Sequence, residues 1–175
     1  MIPDPARIAD AMILSRIRIM LEPLIRRCFH LYWRFARGMT FGVRALVFDA
    51  EGRIFLVKHS YVDGWHLPGG GVEVGETAIE AMRRELREEG NITFAGRPDL
   101  HGIFFNRHVS QRDHVVVYIV RDYHQPAKPP PNREIVECGF FDLKSLPEGT
   151  TRGTRLRIEE AANGRSISLD WLQGP

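Results

Sequence analysis

A mixed α/β layered domain, preceded by a basic amphipathic helix, is the fold class this sequence predicts. Three observations predict it. Along residues 39–175, segments rich in β-branched and aromatic residues alternate irregularly with helical stretches, which favours a mixed sheet over an all-parallel one. A glycine triplet, Gly69-Gly70-Gly71, leads within a few residues into a helix-patterned run. Residues 1–37 differ in composition from the rest, carrying seven arginines, no lysine and three acids.

Each element has its own signal. From Leu21 to Arg37, Leu21, Leu24, Cys28, Leu31, Tyr32 and Phe35 fall on one helical face. Arg26, Arg27, Arg34 and Arg37 fall on the opposite one, and Gly38 is placed to end the helix. The division is therefore a helical extension over 1–38 and a domain over 39–175. Val43 to Phe48 and Ile54 to Val57 read as a hairpin around the turn Asp49-Ala50-Glu51-Gly52. A helix is expected from about Thr77 to Glu89. Strands are expected at Leu100 to Phe105, at His114 to Val120 and around Phe140-Phe141, and a closing helix at Thr154 to Ala162. Pro126 to Pro131 is an exposed proline-rich loop.

Composition narrows the function classes. A net charge of +2 is too mild to argue for nucleic acid. Two cysteines without a CxxC pair make a disulfide framework or structural zinc unexpected. No run approaches the roughly 18 apolar residues of a membrane span, and arginines interrupt every candidate leader. A cytoplasmic protein is the simplest expectation.

The chemistry-bearing stretch is Gly70 to Ile92. Glu85, Glu88 and Glu89 stand at i, i+3 and i+4, so their carboxylates share one helix face. A solvated acidic face is the plain explanation. Ala78, Met82 and Leu86 flank that face, however, and put the acids at the edge of the core. Like charges crowded beside a core call for a hard cation with oxygen ligands, Mg²⁺, Mn²⁺ or Ca²⁺. The preceding glycines allow close backbone approach to a ligand or metal.

Read together, GGVEVGETAIEAMRRELREEGNI resembles the Nudix box, G-x5-E-x7-R-E-U-x-E-E-x-G-U, with U aliphatic. Gly70, Glu76, Arg84, Glu85, Leu86, Glu88, Glu89 and Ile92 are in register. One position departs: Asn91 stands for the second glycine, and asparagine tolerates the left-handed conformation best after glycine. Trp65-His66-Leu67-Pro68-Gly69-Gly70 resembles the family's lead-in, and Phe140-Phe141-Asp142-Leu143 with Leu146-Pro147 its ending. The resemblance, MutT-like in character, covers about residues 41–162. It implies a Nudix-type α/β/α sandwich with a mixed β-sheet. It also implies a divalent-metal-dependent hydrolase that cleaves a pyrophosphate bond in a nucleoside diphosphate linked to another moiety.

The resemblance further implies roles. Glu85, Glu88 and Glu89 are metal ligands, with the Gly69 carbonyl a further one and Mg²⁺ the expected ion, Mn²⁺ a substitute. Arg84 orients the carboxylates through Glu76 and Glu85. The general base is Glu85 in some members and a loop glutamate in others. Here Glu134, six residues before Phe140, is preferred over Glu137. Gly70, Gly71, Glu76, Arg44, Lys58 and Trp65 are the substrate-binding candidates. Tyr61, Phe104 and Phe105 are candidate base-stacking residues, each with a core reading beside it, and Arg107 and Arg112 are candidate phosphate contacts.

The segments that mark NADH, ADP-ribose, diadenosine-polyphosphate and coenzyme A members are absent, so the substrate stays at the level of a small nucleotide-type molecule, with no nucleic acid expected. One alternative is a catalytically weak Nudix-fold binding or sensor module; retention of all the box glutamates speaks against it. Another is action on capped or triphosphorylated RNA, to which the mild net charge gives little support. For the N-terminal helix three readings stay open. It packs on the domain or makes a homodimer, it lies on a membrane surface, or translation starts at Met12 or Met20.

Overall fold

The computed structural model describes residues 21–33 and 38–172. The chain divides into two compact units, Met1–Gly38 and Met39–Pro175. In the first, residues 21–33 are helical (α1), with every residue exposed. Arg34, Phe35 and Arg37, expected on the same helix, lie outside the described residues.

The second unit runs β1 (Thr40–Val47), β2 (Ile54–His59), α2 (Ala78–Gly90), β3 (Asp99–Phe105), β4 (Asp113–Val120), β5 (Ile135–Phe141) and α3 (Arg152–Asn163). The strands form two sheets, β1-β4-β3 and β2-β5. β1 lies parallel to β4, while β3 is antiparallel to β4, so the larger sheet is mixed. Side chains of β1 alternate between two cores, as a pleated strand buried on both faces requires. Val43, Ala45 and Val47 pack with Met82 and Leu86 of α2, whereas Leu46 packs with Phe104 and with Ile158 of α3. One helix thus covers each side, giving an α/β/α sandwich.

The hairpin expectation needs correction. The turn forms as read: Gly52 N–H donates to the Asp49 carbonyl at 3.0 Å, and the Asp49 carboxylate accepts Arg53 N–H at 2.7 Å. Beyond a single bridge, Phe48 to Ile54, the two strands part into different sheets. The reason is that both edges of β1 are already used. β4 takes one, and the glycine loop takes the other through Val43 N–H to the Gly70 carbonyl (2.8 Å) and Ala45 N–H to the Pro68 carbonyl (2.9 Å). That loop is thereby fixed along β1, facing α2.

α2 begins with a capping box, in which the Thr77 hydroxyl accepts Glu80 N–H and the Glu80 carboxylate accepts Thr77 N–H. It ends at Asn91, whose backbone is left-handed at φ 53°. The Asn91 amide also donates to the Ala127 carbonyl at 3.0 Å, pinning the proline-rich loop to the helix end.

Candidate active site

The site lies where α2 meets the loop held along β1. A cavity of about 660 Å³ opens there, lined by Arg44, Gly69, Gly70, Gly71, Glu85, Glu89 and Glu134 among others. Two of the glycines are geometrically required. Gly69 has φ 132°, and a Cβ on it would sit 2.2 Å from the Val43 carbonyl oxygen. A Cβ on Gly70 would sit 2.3 Å from Glu85 Oε1, so this glycine is what lets the Glu85 carboxylate lie against the backbone.

The three box carboxylates differ in environment. Glu89 is 3% exposed and accepts Gly69 N–H on Oε2 at 2.7 Å. Glu85 is largely buried, while the Glu88 side chain is 55% exposed and lines a neighbouring groove with Glu85, Glu89 and Glu134. Burial pushes the Glu89 carboxyl up to about 8, against the pull of Arg44 and the Gly69 N–H. Burial also raises Glu85, opposed by its bond to Arg84.

Arg84 joins the loop to the helix. It forks onto Glu76 through Nε (3.0 Å) and Nη2 (3.1 Å), reaches Glu85 Oε1 through Nη1 (2.6 Å), and donates to the Gly71 carbonyl (3.1 Å). The hydrogen bond from Arg84 is the main cause that holds the Glu76 carboxyl below its usual range. Arg44, on β1, donates from Nη1 to the Leu67 carbonyl at 3.1 Å and to the Gly69 carbonyl. The carbonyl read as a metal ligand is therefore engaged by a guanidinium, though a carbonyl oxygen keeps a second lone pair. Glu134 reaches the cavity from the loop before β5, where its Oε1 accepts the Tyr61 hydroxyl at 3.2 Å.

Two substrate candidates lie elsewhere. The Trp65 ring is 6% exposed and stands edge-on to Phe141 in the α3-side core. Lys58 is the exposed position of β2, paired in register with Glu137, and does not line the cavity. Of the other candidates, Phe104 is fully buried, and Phe105 stacks on His114. Arg107 pairs with Asp170 at 2.9 Å.

Tyr61, a candidate base-stacking residue, lines the cavity, and beside it stands His59, which the sequence reading passes over. The His59 side chain is buried with Nε2 3.3 Å from Glu89 Oε1, and its ring centroid is 5.1 Å from that of Tyr61. Burial pulls the His59 imidazole down to about 4, so it is neutral near pH 7. Strand alternation does not carry this placement, because the register shifts between Lys58 and His59; the assembled sheets bring His59 to Glu89.

The donor set fits a hard cation. It is made of carboxylate and carbonyl oxygens, and a carboxyl driven up by burial is one that a cation would ionise. The side chains are not drawn into a ligand shell, since among the described residues no three acidic, histidine or cysteine groups converge as one.

Comparison with known proteins adds three findings. The NUDIX domain family model matches residues 39–160. Among curated relatives, the RNA pyrophosphohydrolase of Halorhodospira halophila is 42% identical over 52 residues, 30% of this chain and 29% of that one. The Xenopus laevis m7GpppN-mRNA hydrolase NUDT17 is 29% identical over 127 residues, 62% of this chain and 43% of that one. The matches thus span less than half the length of these relatives. Among solved structures, a MutT NUDIX hydrolase from Burkholderia pseudomallei superposes with TM-score 0.61 at 27% identity, covering 71% of this chain and 99% of that one. An ADP-ribose pyrophosphatase from Streptococcus suis superposes with TM-score 0.57 at 25% identity, covering 76% and 97%.

Proposed function

We propose that this chain, which belongs to the NUDIX domain family, hydrolyses a pyrophosphate bond in a nucleoside diphosphate joined to a further group. The observation that carries this reading is the pairing of a buried carboxylate, Glu89, with a glycine loop on the wall of a nucleotide-sized cavity. NUDIX hydrolases work with a divalent metal on nucleotide-type substrates. In this chain Glu85, Glu88 and Glu89, with the Gly69 carbonyl, would hold it, and Mg²⁺ is the ion proposed. A bound divalent cation supplies charge neutralisation at phosphate oxygens and a more acidic water.

The remaining work falls to the protein's own groups. Arg44 presents a fixed positive charge on the cavity wall, suited to a phosphate oxygen. Arg84, holding Glu76 and Glu85 together, keeps the Glu85 carboxylate against Gly70. Glu134 takes the proton of the attacking water as a P–O bond to the phosphate-bearing leaving group breaks; Glu85 is the other candidate base.

The test is release of phosphate or nucleotide from a panel of nucleoside diphosphate derivatives, with and without Mg²⁺. Metal-dependent cleavage is expected. Tight binding with no cleavage of any of them overturns the hydrolase reading in favour of a sensor module. The names of the two curated relatives favour one alternative substrate, the 5′ end of an RNA, so a 5′-triphosphate oligonucleotide belongs in the same panel.

A further inference from the structure

We propose that His59-Ser60-Tyr61, at the end of β2, is a positioning unit that fixes the carboxylates of Glu89 and Glu134 in one frame. The two acids come from different elements. Glu89 ends the acidic face of α2, while Glu134 stands on the loop before β5. Neither is held to the other by the backbone of its own element. Each residue of the segment grips one side of the gap.

His59 faces Glu89. Its side chain is 3% exposed, neither ring nitrogen has a hydrogen-bond partner, and Nε2 stops 3.3 Å from Glu89 Oε1. A buried polar nitrogen left alone is costly, and Glu89 Oε1 is the acceptor set beside it. Turned onto Oε1 with its proton on Nε2, the imidazole would donate there, while Oε2 is held by Gly69 N–H. Both oxygens of this carboxylate would then be oriented by protein donors, an arrangement that fixes metal-ligating carboxylates elsewhere.

Ser60 and Tyr61 face the other way. Ser60 N–H donates to the Glu134 carbonyl at 2.8 Å, and its hydroxyl donates to the Arg133 carbonyl at 2.7 Å. The Tyr61 hydroxyl donates to the Glu134 carboxylate. The Tyr61 ring also lies against the His59 ring, so the two grips are mechanically joined. β2 is itself locked in the core, with Ile54 to Val57 fully buried, which anchors His59 at its end; Ser60 and Tyr61 follow in an exposed bend that these bonds tie to Arg133 and Glu134.

The inference rests on the hydrolase reading for what Glu134 does, but its metal arm does not depend on turnover. The experiment uses the full chain, with Mn²⁺ alone as probe, read by the electron paramagnetic resonance of the unbound ion. Turnover is followed on whichever nucleotide the wild type cleaves. His59→Phe keeps the ring and removes the donor. It is expected to weaken Mn²⁺ binding roughly 10- to 100-fold, with His59→Asn, which restores an N–H, recovering part of the loss. Tyr61→Phe is expected to leave KM and Mn²⁺ affinity unchanged and to lower kcat roughly three- to tenfold. In a Glu134→Gln background it is expected to cost nothing further.

Wild-type Mn²⁺ affinity in a folded His59→Phe protein overturns the inference. So does an equal kcat loss from Tyr61→Phe with and without Glu134→Gln. Should His59→Phe not fold, the Tyr61 cycle decides, because that ring is 69% exposed. A wild type that binds Mn²⁺ and cleaves nothing sinks the hydrolase reading and leaves the His59 measurement to stand or fall separately.

Discussion

Glu89 is the residue on which site chemistry and folding meet. Its carboxylate is buried beside His59 and caps a glycine N–H, so an isosteric amide fits the same space. Glu89→Gln is expected to lower kcat by several orders of magnitude while the thermal midpoint moves little. Wild-type turnover on a confirmed substrate would remove Glu89 from the site. Gly70 makes a sharper geometric case. A methyl group there meets Glu85 Oε1 at 2.3 Å, so Gly70→Ala displaces the carboxylate from the loop. Displacements of this size cost catalysis on the order of 100-fold. Steady-state kinetics of Gly70→Ala beside Gly71→Ala, whose Cβ meets nothing within 4 Å, isolate the effect. Equal losses in the two variants would show that Gly70 has no special role.

At the scale of elements, α2 is the one whose formation the site most depends on. Its capping box satisfies two otherwise unpaired backbone donors at the N-terminus. Thr77→Ala should cost about 1 kcal/mol in denaturant unfolding without changing KM. The helix over 21–33 poses a different question. Leu24, Phe29, Leu31 and Tyr32 are exposed there, alongside Arg26 and Arg27. A basic helix of this kind binds anionic surfaces through buried apolar area and charge together. On the membrane-surface reading, anionic vesicles should retain the full chain and not a chain starting at Gly38. Equal retention refutes that reading and leaves a homodimer to be sought by the mass of the full chain in solution. Among the described residues, no helix is long and apolar enough to cross a membrane.

Over the whole molecule, the buried groups set a pH signature for the metal-free protein. Glu89 has its folded pKa raised from 4.5 to about 8. Its contribution to stability is complete below the unfolded value and is lost as pH rises through the folded one. His59 is depressed from 6.5 to about 4, so its contribution is present above 6.5 and lost as pH falls. Between about 4.5 and 6.5 the two trends oppose each other, and above 6.5 the Glu89 trend is no longer offset by His59. The thermal midpoint without metal is therefore expected to fall from pH 6.5 to 8. Glu89→Gln should flatten that fall, and added Mg²⁺ should offset it, since a cation favours the ionised carboxylate. An unchanged slope in Glu89→Gln would show that this carboxyl does not titrate in the window.

The sequence by itself determined what is local. A spacing of i, i+3, i+4 puts Glu85, Glu88 and Glu89 on one helix face whatever surrounds it. An asparagine at the helix end accepts the left-handed backbone found at Asn91. The turn at Asp49 to Gly52 likewise needed only its own residues. Only the tertiary structure decided which distant segments meet. It sent β1 and β2 into different sheets, put Trp65 in the core and turned Lys58 away from the cavity. It set the Tyr61 hydroxyl on Glu134 across 73 positions of chain and placed His59 against Glu89. The physical reason is that helix periodicity and turn chemistry act within a few residues. Strand pairing is settled by competition for edges and by burial on both faces, and the alternation of one strand does not say which partner wins. The box therefore announces its carboxylates, while the groups that hold Glu89 and Glu134 in place appear only once the sheets are assembled.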